Sequence, residues 1–219
     1  MIKLILCINS WILWFKRNKR YNLTSGTKIN VGSGLIVAPG WINVDYHPAI
    51  IFCKFPSFIL RYFSKYVPDV DISPEQCALI MHTNKFIHHQ LNYGCPFSDI
   101  SADYIYTSHL LEHLDKDKAN YLIKEFYRVL KNGGRLRICV PDLDYFISLY
   151  KNRNYEEGLR PIFSHGHRYM YNFDMLQQLL AKHGFKDIIK CTYKIGETPD
   201  IAILDNRPGE TLYLEAVKP

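Results

Sequence analysis

The run Lys28-Ile29-Asn30-Val31-Gly32-Ser33-Gly34 and the carboxylate of Asp45, which ends Gly40-Trp41-Ile42-Asn43-Val44-Asp45, pair residue types that could hold a nucleoside. Glycines let a chain turn sharply at the carboxyl end of a strand and approach a ligand closely. An acidic side chain on the neighbouring strand can accept both ribose hydroxyl hydrogens. A Gly-x-Gly pair alone is also an ordinary tight turn, so the remaining sequence has to decide between the two readings.

Those residues need strands and helices to position them. Short apolar runs predict strands at 28–32, 41–45, 85–89, 103–108, 134–140, 187–194 and 211–217. Leu122, Phe126, Val129 and Leu130 make a helical stripe over about 116–130, ended by Asn132-Gly133-Gly134, and a second helix runs from about Phe173 to His183. Strands alternating with helices predict an α/β fold: a largely parallel seven-stranded Rossmann-like sheet with helices on both faces. Residues 46–84 read as an insertion between the second and third strands, with an aromatic stretch from Phe52 to Tyr66 that could be helical.

The 219 residues, 47% of them hydrophobic, suit one domain over 28–219, preceded by an amphipathic segment over 1–27. The six cysteines are scattered, with no Cys-x-x-Cys pair, and are expected to be reduced thiols of a cytoplasmic protein. The net charge of +6 favours anionic partners without choosing among them. Trp11, Trp14 and Phe15 precede the basic cluster Lys16, Arg17, Lys19 and Arg20. This apolar run is too short to span a bilayer, and two readings stay open: a helix packed on the domain, or peripheral contact with the inner membrane face through residues 1–20.

The ordered set of segments resembles the class I S-adenosylmethionine-dependent methyltransferases, in particular a small branch associated with polysaccharide and surface-glycan synthesis. The resemblance spans about 28–217. It is carried by the glycine turn, Gly40 to Asp45, Pro96-Phe97 ahead of Ala102 to Tyr106, Ser108-His109-Leu110-Leu111-Glu112-His113-Leu114, Glu125-x-x-Arg128-Val129-Leu130-Lys131-Asn132-Gly133-Gly134, Val140-Pro141-Asp142-Leu143, His183-Gly184-Phe185, and Leu212 to Ala216. It implies S-adenosylmethionine as cofactor. Gly32, Ser33 and Gly34 would wrap the methionine part with Asn30 entering the turn, Asp45 would hold the ribose, and Ser108 and His109 would line the pocket. Where this family places an acid near the adenine, the chain offers the amide of Gln90, with Asn92 close by. Only residues 35–44 separate Gly34 from Asp45, which leaves little room for a first helix.

Methyl transfer is an in-line displacement, so holding the acceptor near the methyl carbon and excluding water matter most, and a base is needed only for a protonated acceptor. Candidates at the sheet's carboxyl edge are His109, Asp142, and His165 with His167 in a Tyr-rich linker before the helix at 173. Asp142 could equally cap a helix beginning near Leu143. Tyr145, Tyr150, Tyr155, Tyr169 and Tyr171 could stack on a sugar ring or close a lid. The expected acceptor is a sugar, glycan or small molecule; no nucleic-acid motif is evident.

Three other readings compete with this one. His109-x-x-Glu112-His113 has the spacing of the inverted zinc peptidases, which on a helix would set both histidines one turn apart with Glu112 as base. The segment follows directly on a predicted strand, however, and no metal site is expected. A nicotinamide-dependent oxidoreductase conflicts with Val37 at the third glycine position and with the early Asp45. A non-catalytic cofactor-binding or scaffold protein of the same fold is separated from an enzyme by turnover.

Overall fold

The structure is a computed structural model and describes residues 2–24, 26–48, 50–51, 56, 58–59, 73–163 and 166–219. The aromatic stretch 52–66 falls almost wholly outside these residues, as does His165. Seven strands form one sheet: β1 Lys28–Val31, β2 Trp41–Asp45, β3 Lys85–His88, β4 Ala102–Ser108, β5 Leu130–Pro141, β6 Lys186–Cys191 and β7 Thr211–Val217, in the order β3-β2-β1-β4-β5-β7-β6. The strands from β1 to β5 are parallel where they pair, while β7 runs antiparallel between β5 and β6. The chain moves outward from β1 to β3 and restarts on the other side at β4. A crevice therefore opens at the carboxyl ends of β1 and β4, the switch point where open α/β sheets bind ligands.

Side chains alternate across this sheet with period two. Ile29, Val31, Ile42, Val44, Ile105, Leu136, Ile138, Val140, Leu212 and Leu214 join one apolar core. The helix Lys116–Val129 covers that core with Ala119, Leu122, Ile123, Phe126 and Val129, and the helix Phe173–Lys182 adds Leu176 and Leu180. The second helix starts where Asn172 Oδ1 accepts the Met175 N–H at 3.0 Å. Tyr106, Cys139 and Tyr213 point to the other side, with Trp41 and Leu204.

Three helices lie where local sequence signals are weaker. Within the stretch read as an insertion, the helix Pro74–Thr83 begins with a reciprocal capping box between Ser73 and Gln76. The Tyr-rich linker after β5 instead holds the helices Leu143–Lys151 and Tyr155–Phe163. Gly158 makes their contact possible, since a Cβ there would stand 2.7 Å from the Tyr150 nitrogen. No helix forms between β1 and β2.

Candidate active site

At the carboxyl end of β1 the chain turns through Gly32 at φ +68° and Gly34 at φ +49°, backbone that side-chain-bearing residues seldom adopt. Gly32 donates its N–H to the Val44 carbonyl at 2.9 Å, which fastens the turn to β2. Gly34 donates its N–H to Asp45 Oδ2 at 2.9 Å, and the His47 N–H reaches Oδ1 at 2.9 Å. The turn and the carboxylate therefore meet directly. A carboxylate has about four acceptor positions, so two backbone donors leave Asp45 capacity for two ribose hydroxyls. Ser33 is buried under the turn. Asn30 is buried too, but its Nδ2 donates to the Ile36 carbonyl at 2.8 Å and to Asn43 Oδ1 at 3.2 Å, so it braces the loop from beneath.

A cleft of about 170 Å3 opens here, lined by Asn30, the turn, Ser108 and His109 at the end of β4, and Asn206 and Arg207. A larger cavity of about 360 Å3 lies away from the switch point, between the helices Lys116–Val129 and Phe173–Lys182 and beside Tyr169 and Tyr171. Position at the sheet's carboxyl edge, rather than size, makes the smaller cleft the candidate ligand site. Gln90 follows β3 two residues after His88, which is level with Asp45 in the β2–β3 register, and so shares this edge.

His109 adopts φ +50° as the chain leaves β4. Its Nε2 lies 3.2 Å from Thr211 Oγ1, and its Nδ1 lies 3.1 Å from Glu112 Oε1, off the alignment of a hydrogen bond. Residues 111–113 form a single turn of 3-10 helix, so His109 and His113 are not stacked one α-helical turn apart, and the geometry assumed for a zinc-peptidase reading is not formed. Asp142 caps the helix Leu143–Lys151 by accepting the Asp144 N–H at 3.1 Å, and its Oδ2 lies 3.4 Å from Lys190 Nζ. His167 Nδ1 lies 2.7 Å from the Pro161 carbonyl, and the ring borders a small second cavity of about 80 Å3 together with Arg160, Arg207 and Glu210. His109 and His167 therefore approach the same region, and Arg207 borders both cavities.

Sequence reasoning missed Asn206, Arg207 and Thr211. Because β7 is antiparallel, its first residues stand beside the last residues of β5, with Thr211 opposite Pro141. The loop 205–210 thus arrives at the carboxyl edge, which no local pattern announces. Beneath it lies a buried ion network. Arg137, 0% exposed, reaches Asp205 Oδ2 at 2.6 Å and Glu215 Oε1 at 3.0 Å. Tyr106 donates its hydroxyl to the Leu204 carbonyl and to Asp205, which fixes the start of the same loop.

Residues 54–138 match the family model described as a methyltransferase domain, from the segment ahead of β3 into β5. That match begins past the glycine turn and Asp45, whose assignment rests on their geometry. Among curated proteins none matches this chain. Its fold is similar to that of a Thermotoga maritima S-adenosylmethionine-dependent methyltransferase described as a possible histamine N-methyltransferase, at TM-score 0.52 and 17% identity over 90% of this chain and 84% of that one. It is also similar to a SAM-dependent methyltransferase from Archaeoglobus fulgidus, at TM-score 0.54 and 14% identity over 98% of this chain and 94% of the other. Human N-acetylserotonin methyltransferase in complex with SAM gives TM-score 0.53 and 13% identity, over 88% of this chain and 47% of that one. Residues 54–138 thus carry a match to a methyltransferase domain, and the seven-stranded sheet has the Rossmann-like fold of the S-adenosylmethionine-dependent methyltransferases.

Proposed function

We propose that this enzyme methylates a hydroxyl oxygen of a sugar, glycan or small-molecule acceptor, working in the cytoplasm, with 28–219 as its catalytic domain. The donor supplies a methyl group activated by a positively charged sulfur. The acceptor oxygen forms a bond to the methyl carbon as the carbon–sulfur bond breaks toward sulfur, and the hydroxyl proton leaves. Gly32, Ser33 and Gly34 shape the cofactor turn, Asp45 takes the ribose hydroxyls, Gln90 stands on the adenine side, and Ser108 lines the pocket. His109 lies at the cleft with one nitrogen toward Glu112, which suits a ring that accepts a proton at the other. His167 borders the adjoining cavity. His165 is carried over from the sequence alone, and Asp142 has a capping role that competes with proton transfer.

One observation carries the cofactor assignment: the Gly34 N–H bonded to Asp45, which ties the turn after β1 to the carboxyl end of β2. Exposed Tyr145, Tyr150 and Tyr155 on the two helices after β5 support a sugar-like acceptor, since flat rings stack on pyranose faces. The test is calorimetry with S-adenosylhomocysteine, followed by incubation of methyl-labelled donor with fractionated glycans and nucleotide sugars. Asp45→Asn should weaken binding by about 10- to 100-fold, the equivalent of a charge-assisted hydrogen bond. Unchanged affinity would overturn the assignment of Asp45.

The N-terminal helix Ile2–Lys16 supports a peripheral membrane contact. It turns Asn9 and Leu13 inward, with Asn9 Nδ2 donating to the Tyr46 carbonyl at 3.2 Å. Leu6, Ile8, Trp11, Trp14 and Phe15 face outward, Trp11 at 62% and Phe15 at 69% exposure, just ahead of Arg17, Lys19 and Arg20. An apolar aromatic face beside basic residues fits an anionic bilayer surface. Among the described residues no helix is long and apolar enough to cross a membrane. Flotation with phosphatidylglycerol vesicles should carry the wild-type chain and leave Trp11→Ala/Phe15→Ala behind. Equal flotation of both would remove this contact.

A further inference from the structure

The segment after β4 brings together three donors that the proposed function does not use as a group. One ligand atom from each of Glu112, His113 and His167 lies within 4.8 Å of the other two. The His113 and His167 rings meet edge-on, with centroids 5.0 Å apart. Glu112 is 0% exposed, and neither of its carboxylate oxygens has a hydrogen-bond partner among the described residues. A carboxylate withdrawn from water without donors is strongly disfavoured unless a positive charge compensates it. His109 Nδ1 stands near Oε1, which leaves the second oxygen open.

We propose that Glu112, His113 and His167 bind a divalent first-row transition-metal ion between the cofactor cleft and the neighbouring cavity. Two imidazoles and one carboxylate are the donor set of open three-ligand transition-metal sites, whereas magnesium prefers oxygen ligands alone. Bonds of about 2.1 Å in a tetrahedral arrangement place ligand atoms about 3.4 Å apart, so the three side chains need close by at most about 1.4 Å. His113 is exposed and can turn inward. Donation from His167 Nδ1 to the Pro161 carbonyl leaves the lone pair on Nε2, the arrangement by which a backbone carbonyl orients a metal-binding histidine. This ligand set differs from the zinc-peptidase spacing, because its second histidine comes from 54 positions beyond His113 rather than from His109.

The location gives the ion a role that rests on the methyltransferase reading. His109, beside Glu112, lines the cofactor cleft, and His167 lines the cavity that meets it at Arg207. An ion at that junction would hold the acceptor oxygen and acidify its hydroxyl, so that the proton departs to solvent before attack on the methyl carbon.

The full chain, stripped with chelator, would be titrated with Zn2+ and Co2+ by calorimetry while the visible absorption of cobalt is followed. One equivalent should bind, with affinity lowered about 100-fold or more in His113→Ala and in His167→Ala. No binding of either ion, or wild-type affinity retained in both variants, would overturn the site. Titration with S-adenosylhomocysteine runs alongside: His113→Ala should keep wild-type affinity for it while losing cobalt. A wild-type chain that binds cobalt but not S-adenosylhomocysteine would sink the methyltransferase role and leave the metal site standing.

Discussion

The two faces of the central sheet are built on opposite chemistry. On one, Leu136, Ile138, Val140, Leu212 and Leu214 pack against Leu122, Ile123 and Phe126 with no charge among them. On the other, the intervening residues of the same strands are Arg137, Cys139, Tyr213 and Glu215, and Arg137 joins Glu215 to Asp205 in the closing loop. Apolar packing is non-directional and tolerates small displacements, whereas charge-assisted hydrogen bonds fix distance and orientation. The ionic face anchors the loop that carries Asn206 and Arg207 to the site. The apolar face supplies cohesion, and the ionic face supplies placement.

The strongest test of this contrast removes Arg137. Arg137→Met strips Asp205 of its cation and leaves buried Glu215 with Arg135 alone, at 3.3 Å, and should cost about 3–5 kcal/mol, read from urea denaturation midpoints. Leu122→Ala, on the apolar face, should cost about 3 kcal/mol by transfer and cavity formation. The distinguishing readout is cofactor affinity near neutral pH in whatever fraction stays folded: it should fall in the Arg137 variant and hold in the Leu122 variant. Equal effects on binding would erase the proposed division between the faces.

A smaller effect separates the ionic face from polar groups buried without a charged partner. Burial pushes His88 down to about 4, with Lys16 adding to the effect and the Tyr46 carbonyl opposing it. His89 is likewise lowered to about 4 by burial, against the Gly94 carbonyl and with help from Arg20. Both rings are held neutral in the fold but take up protons near pH 6.5 when unfolded. Stability should therefore decline as pH falls from about 6.5 toward 4. Burial raises the Glu215 pKa, but the Glu197 and Thr198 N–H groups and Arg137 outweigh it and hold the group below its ordinary value. Its contribution is present above the ordinary carboxylate range and is lost only on further acidification. Denaturant midpoints across pH 7 to 3 should fall in two stages, and His88→Gln/His89→Gln should remove much of the first.

Local pattern carried the apolar half of the molecule and the glycine turn at 32–34. All seven strands were legible because alternating or continuous apolar runs ended at turn residues, and Lys116–Val129 was legible from its stripe. The helix Tyr155–Phe163 was not: Gly158 and Pro161 argue against a helix, and only the contact with Tyr150 explains the glycine. Arg137 was hidden inside Leu136-Arg137-Ile138-Cys139-Val140, which reads as a plain buried strand until Asp205 and Glu215 are seen across from it.

By itself the sequence determined the succession of strands, the helices near 116–130 and 173–183, and the Gly32–Gly34 turn followed by Asp45, and it offered the Asp142 cap as one of two readings, because each depends on neighbours a few residues away or on the next strand. Tertiary structure alone decided that Arg207 and Thr211 reach the carboxyl edge, that Arg137 closes an ion network, and that Glu112 faces His113 and His167. Those meetings depend on the reversed direction of β7 and on chain segments dozens of residues apart. Composition and periodicity hold no record of which distant groups the fold will place within a few ångströms.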